Sequence, residues 1–231
     1  MLPSDGALDD PAYASLLGAH ASLGHVRGRA RRYQEDVAPF LALPSPPSAQ
    51  DWKDAAELVE PGTYVAGRYT ATELPDGWRA VQAFDLVQMV EERVTGVDCA
   101  EAIRLGAGDV PEMLELVAKT EPGPFLVRTI ELGDYLGIRH DGALVAMAGE
   151  RFRLDGWTEI SAVCTSPDHR GEGLASCLVG ALIASIHRRS ERAFLHVMST
   201  NSTAIRLYEE LGFRVRAEAT LTVVTRAEKP V

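Results

Sequence analysis

The sequence predicts a mixed α/β layer, and three observations carry that expectation. From about residue 102 onward, extended and helical segments alternate in the order β α β β β α β α β. The extended segments are rich in β-branched and aromatic residues, whereas the helical ones repeat apolar residues every three or four positions. Turn chemistry separates them, at Pro122-Gly123, Asp141-Gly142, Gly171, Gly173 and Gly212.

The elements follow in order. Pro11 to Leu23 sets Tyr13, Leu16, Leu17, His20 and Leu23 at helical spacing, and the basic run RGRARRY, Arg27 to Tyr33, is expected as a solvated helix end rather than a phosphate grip. LPSPPSAQ, Leu43 to Gln50, can neither continue a helix nor pair in a central strand and is expected as a connector. Asp51 to Glu60 reads as a short helix stopped by Pro61-Gly62. TYVAGRY and GWRAVQAFDLVQMV then read as a hairpin turned by PDG. Ala102 to Leu105 is expected as a strand and Gly108 to Lys119 as a helix with Asp109 as cap and Pro111 in its first turn. Tyr135 to His140 and Ala143 to Phe152 flank Asp141-Gly142, the strongest hairpin signal in the chain. After a strand at Thr158 to Thr165, a long helix from about Gly171 to Arg188 steps Leu174, Leu178, Leu182 and Ile186 along one face. A strand at Ala193 to Val197, a helix at Ser202 to Leu211 ended by Gly212, and a strand at Phe213 to Thr225 complete the order. The expected division is a helix-and-hairpin half, 1–100, and an α/β half, 101–231.

Composition bounds the function. The 231 residues carry 23 Lys+Arg against 33 Asp+Glu, a net charge of −10, and 46% are hydrophobic. This is globular usage, which excludes fibrous and disordered classes, and the negative field with no basic stripe argues against nucleic acid. Cys99, Cys164 and Cys177 form an odd set without CxxC or ligand spacing, so free thiols in a reducing compartment are expected. The opening MLPSDGALDD has neither a basic nor an apolar leader region, and the apolar stretch Leu178 to Ile186 is far shorter than the ~18 residues of a membrane span, so a cytoplasmic protein is expected. His20, His25, His140 and His187 are scattered singly, and no metal site is expected.

Chemistry concentrates between Val163 and Ala175, where a strand runs through a turn into the long helix. A helix N-terminus presents unpaired N–H groups and a positive dipole end, and Gly171 and Gly173 remove side chains that would hold an anion away. The spacing R-G-x-G-x-A lacks the third glycine of the dinucleotide fingerprint, and no Gly-Lys-Ser/Thr follows as a P-loop would require.

This stretch resembles motif A of the GNAT superfamily of acyl-CoA N-acyltransferases, whose Arg/Gln-x-x-Gly-x-Gly/Ala pattern is met by Arg170, Gly173 and Ala175. A second stretch, Asn201 to Phe213, resembles the family's N-x-x-A-x-x-L-Y-x-x-x-G-F signature. The resemblance spans about Ile103 to Thr225 and implies a mixed sheet splayed between its fourth and fifth strands to admit the pantetheine arm. It implies an acetyl-CoA or other acyl-CoA co-substrate, with no metal, and acyl transfer to a primary amine of a small molecule or peptide by direct attack in a ternary complex. The alternative is a non-catalytic acyl-CoA-binding regulatory module. By the same resemblance, Arg170, Gly171, Glu172, Gly173, Leu174 and Ala175 hold the pyrophosphate through backbone amides. Val163, Cys164 and Thr165 offer backbone groups to pantetheine and the thioester carbonyl, and Asn201 contacts pantetheine. Tyr208 protonates or hydrogen-bonds the departing thiolate. Glu159 is the first candidate for the base that takes the amine proton, and His196, with imidazole chemistry suited to neutral pH, is the second. Helices and a hairpin ahead of a full domain resemble the glycine N-acyltransferase-like group, in which the N-terminal part is a degenerate GNAT-like half. A homodimer is compatible with this reading; a membrane partner is not expected.

Overall fold

The computed structural model of the chain describes residues 5–70, 72 and 74–227. In chain order the elements are α1 (Pro11–Leu17), β1 (Gly24–Arg27), β2 (Ala30–Tyr33), β3 (Leu41–Ala42), α2 (Ala49–Leu58), β4 (Tyr64–Gly67), β5 (Trp78–Glu91), β6 (Ile103–Arg104), α3 (Val110–Thr120), β7 (Tyr135–His140), β8 (Ala143–Leu154), β9 (Trp157–Thr165), α4 (Leu174–Arg188), β10 (Arg192–Met198), α5 (Ser202–Glu210) and β11 (Phe213–Arg226). An eight-stranded mixed sheet in the order β4-β11-β5-β10-β9-β8-β7-β6 forms the frame, and β1-β2-β3 make a small second sheet. This is the expected α/β class. The large sheet runs across the boundary at residue 100, because β5 lies in its interior between β11 and β10.

Local chemistry explains the element ends. Asp10 caps α1 by accepting from the Tyr13 N–H, with Pro11 in the first turn, and Ser48 with Asp51 forms a reciprocal capping box on α2. At the β7–β8 turn Asp141 and Gly142 take φ of 50° and 84°, the paired left-handed geometry of the two-residue hairpin. The face of α4 behaves as its spacing predicts: Leu174, Leu178, Leu182 and Ile186 are buried, packed with Met89, Ile160 and Leu195 on one side of the sheet. Burying each such side chain is worth about 1.5–3 kcal/mol. The opposite side is covered by α1 and its surroundings, where Leu8, Leu16, Tyr33, Phe40, Phe152, Trp157 and Phe194 form a second core.

Three expectations are corrected. RGRARRY is not a helix end. It folds as the β1–β2 hairpin, turned at Gly28 with φ of 51°, where a Cβ would stand 1.9 Å from Asp54 Oδ2. Its cations meet α2: Arg29 pairs with Asp51 at 2.6 Å and Arg27 with Glu57 at 2.7 Å. Nor do TYVAGRY and GWRAVQAFDLVQMV form a hairpin with each other, because β11 inserts between β4 and β5 and pairs antiparallel with both. Finally, Cys99 and Cys177 are joined as a disulfide that ties the segment after β5 to α4, leaving Cys164 as the free thiol. A separation of 78 residues carries no spacing signal, and the reducing-compartment inference loses its basis. Among the described residues, no helix is long and apolar enough to cross a membrane.

His20 pins α1 to the second half of the chain. Its Nε2–H donates to the Leu132 carbonyl at 3.0 Å, so Nδ1 accepts from Ser15 at 2.9 Å and Tyr33 at 3.0 Å. Burial lowers its pKa from 6.5 to about 4. Unfolded chain therefore binds this proton first, and the contribution present above pH 6.5 is lost as pH falls toward 4. Urea titrations should show up to about 3 kcal/mol of stability disappearing across that window, and His20→Phe, although less stable at pH 7, should show a smaller drop.

Candidate active site

The site begins where two parallel strands part. β9 and β10 pair from Trp157/Arg192 to Ile160/Leu195 and no further. Beyond that point Ser161–Thr165 and His196–Met198 diverge, as expected of the fourth and fifth strands of the second half, and a cleft of about 1110 Å³ opens between them. On its other edge β9 stays on β8 but slips register, with Cys164 opposite Met147 and Ser161 opposite Gly149. The bulge centres on Ala162, whose φ of 52° is unusual for a residue with a side chain. Backbone groups of the outer half of β9 therefore face the cleft without a β10 partner.

The turn after β9 supplies the anion site. Gly171 and Gly173 take φ of 85° and 80°, and a Cβ built on either meets nothing within 4 Å. Packing does not demand these glycines. The left-handed backbone does, and it leaves open space in front of the first N–H groups of the 15-residue α4, whose N-cap Gly173 has no side chain to occupy them. The cradle accordingly fits a pyrophosphate.

Of the residues singled out from sequence, Val163, Cys164, Thr165, Arg170, Gly171, Gly173, Leu174, Ala175, Asn201, His196 and Tyr208 line the cleft, and Glu159 and Glu172 do not. Glu159 lies behind His196, fully buried. Arg151 grips its carboxylate with two hydrogen bonds of 2.7 and 2.6 Å, and His196 Nδ1 stands 2.6 Å from Oε1. Burial alone would raise the pKa of this carboxyl, but the charge and hydrogen bonds of Arg151, with those of His196, outweigh it and take it down to about 2. Gln88 defines the other side of the imidazole. Its Nε2 donates to the Leu8 carbonyl at 2.7 Å and its Oε1 accepts from Arg216 at 2.9 Å, so its remaining N–H points at His196 Nε2, 3.1 Å away. This network assigns the tautomer: Nδ1–H donates to Glu159 and Nε2 carries the lone pair.

Tyr208 is buried on α5 with its ring edge-on to Phe213, and burial pushes its phenol up to about 12, so the hydroxyl keeps its proton at neutral pH. Burial likewise pushes the Cys164 thiol up to about 11, which leaves it a poor nucleophile. The Asn201 side chain caps α5, its Oδ1 accepting from the Ala204 N–H at 3.0 Å.

Sequence reasoning missed Arg151, Gln88 and Asp10. Arg151 and Gln88 are polar residues inside strands, with partners on other strands, and no local pattern marks them. Asp10 carries a local signal, Asp-Pro at a helix start, but it reads as a cap alone. Asp10 lines both the cleft and an adjoining cavity of about 970 Å³ whose walls include Asp9, Asp85, Glu218 and Arg68. Burial raises the Asp10 pKa to about 6, against the opposing pull of the Tyr13 N–H and Arg68. His140, read from sequence as an isolated histidine, has a neighbour in His169, with ring centroids 5.0 Å apart.

Comparison with known proteins agrees with this geometry. Residues 135–223 match the family model of the FR47-like proteins. Among solved structures, the chain is similar to a protein from Novosphingobium aromaticivorans assigned to the acetyltransferases of the GNAT family, with 36% identity over 96% of this chain and 99% of that one and a TM-score of 0.87. It shares a fold with a GCN5-related N-acetyltransferase from Kribbella flavida, at 18% identity over 94% of this chain and 95% of that one, TM-score 0.59. No curated protein matches the chain.

Proposed function

The chain belongs to the GNAT family, and from that premise we propose that it transfers an acetyl group from acetyl-CoA to a primary amine of a small molecule or peptide, by direct attack in a ternary complex. The observation that carries this reading is the open glycine cradle at the end of a strand splayed from its neighbour. The amides at the start of α4 hold the phosphates, and the outer half of β9 aligns the thioester, a β9 N–H stabilising the oxyanion that forms on its carbonyl oxygen. As the amine nitrogen bonds to the carbonyl carbon, its proton passes, directly or through one water, to Nε2 of His196, which exchanges its Gln88 hydrogen bond for this one. Glu159 is then a positioning residue, which keeps the opposite ring nitrogen protonated. The C–S bond breaks as Tyr208 donates its proton toward the leaving sulfur.

Calorimetric titration with acetyl-CoA tests the cradle. Valine at position 173 must adopt a left-handed φ, costing roughly 1–2 kcal/mol, and projects its branches into the phosphate space. Gly173→Val should therefore weaken acetyl-CoA at least tenfold. Equal binding by both proteins would remove the cradle from the account.

Asp10, with Asp85 and Glu218 around the adjoining cavity and Asp9 there paired with Arg216, supports an acceptor that carries a second cationic group. With a diamine acceptor, Asp10→Asn should raise KM about tenfold with little change in kcat, the scale of one charged hydrogen bond. The wild-type advantage should vanish below about pH 6, where the Asp10 carboxyl is protonated.

A further inference from the structure

We propose that His140, His169 and Glu172 form a binding site for a divalent transition-metal ion of the zinc class, at the outer edge of the phosphate-binding turn. Three donors of the right chemistry converge there: two imidazole nitrogens and a carboxylate oxygen, all within 4.8 Å of one another. Donors sharing one ion at zinc distances stand roughly 3.4 Å apart. His169 Nδ1 and Glu172 Oε1 already meet that spacing at 3.2 Å, and closing the set requires the His140 nitrogen, within 4.8 Å of both, to move inward. The fold assembles the group, because His140 ends β7 while His169 and Glu172 lie in the turn between β9 and α4.

The surroundings favour a cation. Glu101 places its Oε2 3.6 Å from His140 Nε2, as a fourth donor or as an outer carboxylate orienting the imidazole. Among the described residues, the ion-pair partners of Glu101 and Glu172 are these two histidines, not Lys or Arg. With neutral imidazoles the group carries two uncompensated negative charges. The side chains of His140, His169 and Glu172 are 35%, 29% and 45% exposed, open enough to admit an ion and covered enough to hold a geometry. Two nitrogens and one oxygen suit zinc, nickel or copper and do not suit magnesium or calcium, which require oxygen sets. An ion there offsets the charge of Glu172, an acidic side chain in a turn built for anions, and ties the β7–β8 turn to the cradle.

The test uses tag-free, chelator-stripped full-length protein titrated with Zn²⁺ in a calorimeter, with Mg²⁺ as the control ion. The expected result is a single saturable Zn²⁺ site of micromolar affinity or better and no Mg²⁺ binding. The affinity should fall at least tenfold in both His140→Ala and His140→Gln, with acetyl-CoA binding by the metal-free variants unchanged. Co²⁺ added to the wild type should give the intense visible bands of a four-coordinate site, absent from either variant. Zinc binding that survives both variants with the same stoichiometry and affinity, or a wild type that takes up no zinc saturably, overturns the proposal.

Discussion

Replacing His196 with alanine should lower kcat at pH 7 by about 10²- to 10³-fold, the scale of a lost general base, while acetyl-CoA affinity stays within twofold. The expectation rests on position: His196 lines the cleft with its lone pair on Nε2, and Glu159 is behind it with both carboxylate oxygens engaged. The loss should shrink as pH approaches the pKa of the acceptor amine, because a neutral amine needs no base. Glu159→Gln should also depress kcat, since the amide no longer dictates which imidazole nitrogen is protonated. Its effect should nearly vanish in a His196→Ala background, because it acts through the imidazole. Additive losses in that double-mutant cycle would restore Glu159 as an independent base.

Removing Arg151 should cost the most stability. Its guanidinium neutralises a carboxylate that is 0% exposed, and the pair lies beside the rings of Phe40 and Phe152. Arg151→Met leaves that charge buried with His196 alone, which is expected to cost about 3–5 kcal/mol in urea unfolding at pH 7. Combining it with Glu159→Gln should recover part of the loss. The pH dependence has a definite sign. Because the Glu159 pKa is depressed to about 2, its contribution in the wild type is fully present above its ordinary value of 4.5 and is lost as pH falls toward 2. The gap between wild type and Arg151→Met should therefore narrow as pH is lowered through that range.

What was legible in the sequence was what is local. The Asp141-Gly142 turn, the four-residue steps of α4 and the strand-glycine-helix cradle each declare themselves within a dozen residues, and each is where its pattern placed it. Pairings between distant segments were not legible. β5 lies between β10 and β11, and neither neighbour is local in sequence, so its apparent hairpin partner β4 was the wrong one. The basic run of β1 and β2 resembled a solvated surface because its acidic partners are on α2. At the site, Glu159 and His196 were both identified, but a strand sequence does not say which side chain meets the cleft. Arg151 and Gln88 decide that, and each acts across strands.

Release of CoA thiol from acetyl-CoA, followed across a panel of primary amines that includes diamines and peptide N-termini, tests the central claim most directly. The account predicts turnover with at least one cationic amine, the acetyl group recovered on its nitrogen, and loss of that turnover in His196→Ala. Protein that binds acetyl-CoA tightly yet acetylates no amine in the panel would contradict it.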